Sequence, residues 1–275
     1  MRTLERMHPA VCFVYLISVL IFTAVAGNPV AVLTSLFGAV LLSALSDRLH
    51  GMGWSAVFAL LAALANFIFV HNGSTVLFFI GDTAFTLEAL VYGVHIGIML
   101  TAVCLWGACA VRYVTSDKYI WLFGRIFPAA GLVLSCAIRF VPLFIRRTRE
   151  FAAVQQAGSV RDYLRVFSAS VGYSAEQAMD SSLSMKARGY GTARRTSFSL
   201  FRFTGSAALA LGAVIITAGG TAALSLTGAG GFRFYPAVSE IPAGAADIAL
   251  YAVFLAFCLL PSAVIISGRI RGISK

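Results

Sequence analysis

Four histidines, five cysteines and eleven carboxylates are the material from which this chain of 275 residues could build chemistry. His8, His50, His71 and His95 lack metal-ligand spacing. No His-Glu-x-x-His pair sets two imidazoles on one helix face with a general base between them. Cys12, Cys104, Cys109, Cys136 and Cys258 stand singly in apolar stretches, with no Cys-x-x-Cys pair. They read as buried, reduced thiols rather than a disulfide or metal framework. The lysines are Lys118, Lys186 and Lys275, none preceded by glycine. The chain therefore has no Gly-x-x-x-x-Gly-Lys loop whose amides could cradle ATP phosphates. No Gly-x-Ser-x-Gly elbow offers a serine nucleophile. Catalytic residues, cofactor and resident metal are all expected to be none.

Two polar arrangements remain. Glu88, Tyr92 and His95 follow one another at i, i+4 and i+7, on one face of an apolar helix. An ionisable residue inside a membrane is a functional suspect. Gly93 and Gly97 nearby form a Gly-x-x-x-Gly pair that lets helices approach closely, so a packing face with a satisfied Glu/His pair is expected over an ion path. The second arrangement closes a stretch rich in small residues, Val171–Arg188, which reads as a helix. It ends Met185-Lys186-Ala187-Arg188-Gly189-Tyr190-Gly191, with Arg188 in the last turn and Gly189 as the residue that stops the helix. An arginine on a rigid helix end suits an acidic groove, because its fork pairs two carboxylate oxygens at once. A capped helix that merely ends in a basic residue has the same pattern, and the residues alone leave both readings open.

The elements that carry these residues follow from composition. Hydrophobic residues make up 59% of the chain and charged ones 12%, with mean hydropathy +0.88. A soluble domain carries about 25% charge, so too little charge is present here to clothe a water-exposed surface. Apolar runs fall near 9–26, 29–46, 53–70, 84–111, 119–145, 204–228 and 247–267. Each is near the 20 or so residues that cross a bilayer. Asn28-Pro29 and Asp47–Gly51 break the first runs into hairpins. The run Val76–Ile80 is too short to span and belongs at an interface. Arg2, Arg6 and Ala24-Val25-Ala26 have the outline of a signal peptide, but the run is long for one and leads through Pro29 into another span. It is expected to stay as the first span.

Net charge is +10, and basic residues crowd between Arg146 and Arg202. In a membrane chain such an excess marks cytoplasmic loops and anionic lipid rather than nucleic acid. If 119–145 crossed, the whole basic region and the tail Arg269, Arg271 and Lys275 would lie outside, inverting the positive-inside rule. That segment also carries Arg125, Arg139, Pro128 and Pro142, which suit a spanning helix poorly. It is expected to return to the side it came from. The fold class is therefore all-α: a polytopic membrane protein with about six transmembrane helices and both termini cytoplasmic. Three regions follow: spans one to four in 1–111, a cytoplasmic-side region in 112–203, and spans five and six with a basic tail in 204–275.

The motif at 185–191 resembles the second Ala-Arg-Gly motif of the transmembrane T component of energy-coupling factor (ECF) transporters, ABC-type importers of vitamins and metal ions such as cobalt. Arg139-Phe140-Val141-Pro142 resembles the segment that precedes the family's first motif. Thr115–Lys118 with Phe123-Gly124-Arg125, and Arg195–Ser199, are similar to further family segments. The resemblance runs from about Pro9 to Arg202. By spacing from Pro142, the first motif falls at Gln155-Gln156-Ala157-Gly158-Ser159, with Gly158 where the family carries arginine. Arg161 and Arg165, on the next turns, are candidates to substitute for it.

The resemblance implies long coupling helices under the membrane, each ending in a motif docked in a groove of one ATPase. Ala187, Arg188 and Gly189 would form the coupling motif. Met185, Lys186, Tyr190, Arg139, Pro142, Gln155, Gln156, Ala157, Arg161 and Arg165 would support it. The implied partners are two cytoplasmic ABC ATPase subunits, a membrane-embedded substrate-binding S component and anionic lipids, in the plasma membrane of a prokaryote. Two other classes compete with this expectation. A membrane-embedded enzyme would need a nucleophile or metal site that the residues do not nominate. A self-sufficient secondary transporter is usually built on internal repeats around broken helices, and none is evident.

Overall fold

A computed structural model describes residues 7–45, 52–71, 73–80, 83–155, 159–192, 201 and 203–273. Among them are nine helices and one short β-hairpin, an all-α fold. The chain divides into two compact units: Met1–Thr115 with Arg202–Lys275, and Ser116–Phe201.

The first unit holds α1 (Pro9–Val25), α2 (Pro29–Leu45), α3 (Met52–Phe69), β1 (Val76–Ile80), β2 (Thr83–Thr86), α4 (Leu87–Tyr113), α8 (Gly205–Leu226) and α9 (Ala245–Ile273). Local chemistry sets several starts. Proline opens α1 and α2, where its missing N–H costs nothing and its fixed φ suits the first turn. The Asn28 side chain accepts from the Val30 amide at 2.9 Å, and Thr86 caps α4 by accepting from Ala89 at 3.4 Å. The run read as interfacial, Val76–Ile80, is a strand paired antiparallel with Thr83–Thr86. Its β-branched and aromatic residues suit a pleated surface, and two residues suffice for the return.

Helix–helix contact in this unit is set by glycine. A Cβ at Gly93 would sit 2.7 Å from the Ala63 carbonyl oxygen, and one at Gly97 would sit 2.8 Å from that of Ala59, so α3 and α4 touch backbone to backbone. A Cβ at Gly38 would meet the Cys258 Cβ at 2.7 Å, which joins α2 to α9 in the same way. Around Trp106, Leu42 and Phe257, all but fully buried, runs a small polar chain. The Trp106 indole donates to Ser35 Oγ at 3.0 Å, and Ser35 Oγ lies 2.6 Å from Thr23 Oγ1, linking α1, α2 and α4. Each such bond between membrane helices contributes about 0.6 kcal/mol. The glycine contacts set how closely the helices approach, and the polar chain links three of them at fixed points.

Among the described residues, four helices are long and apolar enough to cross a membrane: Leu87–Tyr113, Pro128–Val154, Gly205–Leu226 and Ala245–Ser267; α1, α2 and Gly53–Phe69 of α3 are shorter and apolar. The protein is membrane-embedded. Pro128–Val154 qualifies by length and composition like the other three, so the expected count of six spans, which leaves it out, rests on charge sidedness alone.

The second unit holds α5 (Ser116–Ile126), α6 (Pro128–Val154) and α7 (Val160–Ala187). The apolar segment 119–145 is thus interrupted at Phe127-Pro128, while Pro142 lies inside α6. A Cβ added at Gly131 would fall on Gly124, so α5 and α6 touch through two glycines. Ring pairs join α6 to α7: Phe144 to Phe167 at 6.3 Å and Phe151 to Tyr173 at 6.0 Å. The pairs follow the same order along both helices, which a side-by-side antiparallel hairpin would reverse. α6 and α7 therefore cross.

Gly97→Val drives a branched side chain into the Ala59 carbonyl, an overpacking worth about 1–3 kcal/mol. Thermal unfolding of the detergent-solubilised protein should drop by several degrees. Gly107→Ala, whose Cβ meets nothing within 4 Å, should unfold at the wild-type temperature or slightly above.

Candidate functional site

The motif at 185–191 lies at the C-terminus of a helix of 28 residues, α7. Ser159 starts that helix by accepting from the Arg161 amide at 3.2 Å, with Asp162 in the first turn. The helical ladder ends at Ala187, and Arg188 is the C-cap at φ −83° and ψ 9°, one residue beyond the last-turn position expected for it. Gly189 takes φ +81°, the left-handed conformation in which glycine carries no penalty. The Gly189 amide donates to the Lys186 carbonyl at 2.9 Å, and the Tyr190 amide donates to that of Met185 at 3.0 Å. These two bonds make a Schellman ending, which satisfies the last carbonyls and stops the helix at a fixed residue. Thr192 then folds back, its amide and hydroxyl both donating to the Gly189 carbonyl, at 3.2 and 2.7 Å.

The result is a rigid stub with its cation outward. Arg188, Lys186 and Ala187 are exposed, Tyr190 is 55% exposed, and Met185 is half-buried. Arg188 makes no ion pair among the described residues. Such a group costs nothing to recruit from an internal partner and suits a carboxylate from outside.

α6 ends at Val154 with Gln155 as its C-cap, so the expected first-motif segment begins where that helix stops. Gln156, Ala157 and Gly158 lie outside the described residues, as do Arg194 and Arg195–Ser199. Arg161 is exposed in the first turn of α7 and makes no ion pair among the described residues. Arg165 lies 3.9 Å from Asp162 on its own helix. Arg139 and Pro142 are exposed on α6, on the helix interior rather than at its end. The structure thus gathers residues 185–190 at one helix end and leaves Arg139, Pro142, Gln155, Arg161 and Arg165 elsewhere along α6 and α7.

Electrostatics on α6 are local. Glu150 accepts from Arg146 Nε at 3.1 Å and from Arg147 Nη1 at 2.8 Å, and these bonds hold its carboxyl below the ordinary range. Arg147 also lies over the Tyr173 ring at 5.3 Å.

The Glu88 face differs from its expectation. Glu88 is buried and does not pair with His95: it accepts from the Thr75 amide at 3.1 Å and the Ser74 hydroxyl at 3.1 Å, clasping the loop before the hairpin. His95 packs in rings instead, 4.8 Å from Phe234, and Tyr92 stands 5.0 Å from Phe234 and 5.5 Å from Tyr235. The packing face is real, but its partners come from sequence-distant loops. Another polar knot sits at Asn28, which donates to the Gly230 carbonyl at 3.1 Å and to Tyr251 at 2.6 Å. Asp247 accepts from the Gly230 amide at 2.6 Å. Asn28 was legible as a turn residue, and its long-range partners were not. Lys118, in the first turn of α5, is buried. Among the described residues, no three His, Cys, Asp or Glu side chains gather as a metal site.

No protein-family model matches this chain, and no curated protein matches it.

Gly189→Ala places a Cβ at φ +81°, a strain of about 1–2 kcal/mol. Hydrogen exchange at the Gly189 and Tyr190 amides should accelerate about tenfold, while the amides of α7 before Ser184 keep their protection. Gly172→Ala, mid-helix with nothing within 4 Å of its Cβ, should leave both unchanged.

Proposed function

We propose that this chain is the transmembrane coupling (T) component of an ECF-type importer. It carries ATP-driven motion from two ABC ATPase subunits to a membrane-embedded S component that binds a vitamin or metal ion as cargo. The observation that supports this most is the exposed Arg188 at the Schellman-closed end of α7, inside Met-Lys-Ala-Arg-Gly-Tyr-Gly. A helix of 28 residues is about 42 Å long at 1.5 Å per residue, a suitable length for passing motion between a soluble partner and a membrane one. Two helices of 27 and 28 residues in a unit of their own, the first ending where the first motif is expected, fit the same role. The sequence also lacks a phosphate-cradling loop, which makes ATPase partners necessary for any ATP-driven role.

In this reading both termini and the 112–203 region face the cytoplasm of a prokaryotic cell, where the basic residues meet the ATPases and anionic inner-leaflet lipid. Arg188 pairs with carboxylates in an ATPase groove. Closure of the ATPase pair on ATP then moves the end of α7, and the helix passes the displacement to the S component without bending. Substrate choice belongs to the S component.

Two docking sites of unequal strength follow, because Gly158 has no guanidinium to offer. Truncating a desolvated arginine contact costs about 2–5 kcal/mol. Arg188→Ala should abolish uptake or release an ATPase in pull-down, and Arg188→Lys should restore only part, since an ammonium cannot form the fork. Arg161→Ala and Arg165→Ala should be milder. Normal uptake with ATPases retained by Arg188→Ala would overturn the role given to this helix end.

A further inference from the structure

Two cavities flank the crossing of α6 and α7, and they share Phe144 as a wall. The first, of about 300 Å³, has Arg147 at its edge. That guanidinium is already committed: it bonds Glu150 at 2.8 Å and lies over Tyr173. The second, of about 530 Å³, is lined by Phe144, Ile145, Tyr163, Leu164 and Phe167, with Arg149 at its edge. Arg149 has no ion-pair or hydrogen-bond partner among the described residues. The cavity is of ligand size. Its apolar wall is open, with Leu164 64% exposed and Tyr163 57% exposed.

An apolar trough with one uncommitted cation at its rim has the chemistry of a site for an anionic amphiphile. The geometry points to an anionic phospholipid: one acyl chain lies along Ile145, Leu164 and Phe167, and its phosphate meets Arg149. Charge supports this occupant over a neutral lipid or an apolar helix. Arg149 is the charged residue that lines this cavity and no carboxylate lines it beside the arginine, so the rim is cationic, and membrane-surface arginines draw anionic headgroups. The contrast between the cavities selects the second, because the first has its cation neutralised from within. A lipid there would brace α6 against α7 at their crossing. The inference rests on the chain being membrane-embedded and does not require ATPase docking.

The test is native mass spectrometry of the full-length protein, purified in mild detergent with an equal mixture of palmitoyl-oleoyl phosphatidylglycerol and phosphatidylcholine. One phosphatidylglycerol per chain should survive delipidation, in clear excess over phosphatidylcholine. Arg149→Gln, an exposed change that leaves the core untouched, should lower that retention about fivefold. Arg146→Gln, whose cation is already paired with Glu150, should not. Leu164→Trp, which fills the trough, should expel either lipid. Equal retention of both lipids, or unchanged phosphatidylglycerol in Arg149→Gln, would overturn the assignment. So would headgroup-blind binding in which Leu164→Trp releases a co-purifying membrane protein, because a protein helix would then be the occupant. ATPase pull-down by Arg149→Gln should match wild type, so failure here stays distinct from failure of the Arg188 docking.

Discussion

A helix passes on a displacement only if its own ladder does not yield. In the proposed coupling role, the backbone hydrogen bonds of α7 are therefore the constraint on which the rest depends. They run unbroken from Val160 to Ala187 with no proline inside, and they close on Gly189 rather than fraying. Without the left-handed glycine, the last carbonyls would seek water and the position of Arg188 would become an average over loose conformers. With it, the guanidinium rises from a defined point. α6 differs: it contains Pro142, which removes one rung of its ladder, and the sequence after its end has glycine, not arginine, at 158. The two helices thus differ in backbone as well as in charge.

The first unit meets a different demand. In lipid there is no hydrophobic drive to bring helices together, so close approach must come from small residues and shared polar groups. Gly38, Gly93 and Gly97 supply the approach, and the Trp106–Ser35–Thr23 chain supplies register. Glu88 and Asn28 then tie loops to helix ends, so that buried polar atoms near the surface of this unit find partners.

Much of this was legible in the residues. The helix positions followed from apolar runs, and the stop at Gly189 from its neighbour sequence. The Gly93–Gly97 contact followed from spacing. What stayed hidden was long-range. Nothing local in Glu88-x-x-x-Tyr92-x-x-His95 says that Glu88 turns to Ser74 and Thr75, or that Phe234 arrives from another loop to cover His95. The strand at Val76–Ile80 was hidden too, because a five-residue apolar run has the same pattern in a strand as in an interfacial segment. At the site, the helix end was readable and the crossing of α6 over α7 was not, since crossing depends on which rings meet.

The claim that Arg188 sits in an ATPase groove is tested most directly by a photo-reactive residue at position 190, two residues past the arginine, in cells making the full assembly. Illumination should join this chain to a cytoplasmic ATPase subunit, identified by a phosphate-loop peptide in the cross-linked product, and the adduct should fade when Arg188 is also changed to alanine. A cross-link to lipid alone, or to the same ATPase at equal yield without the arginine, would contradict it.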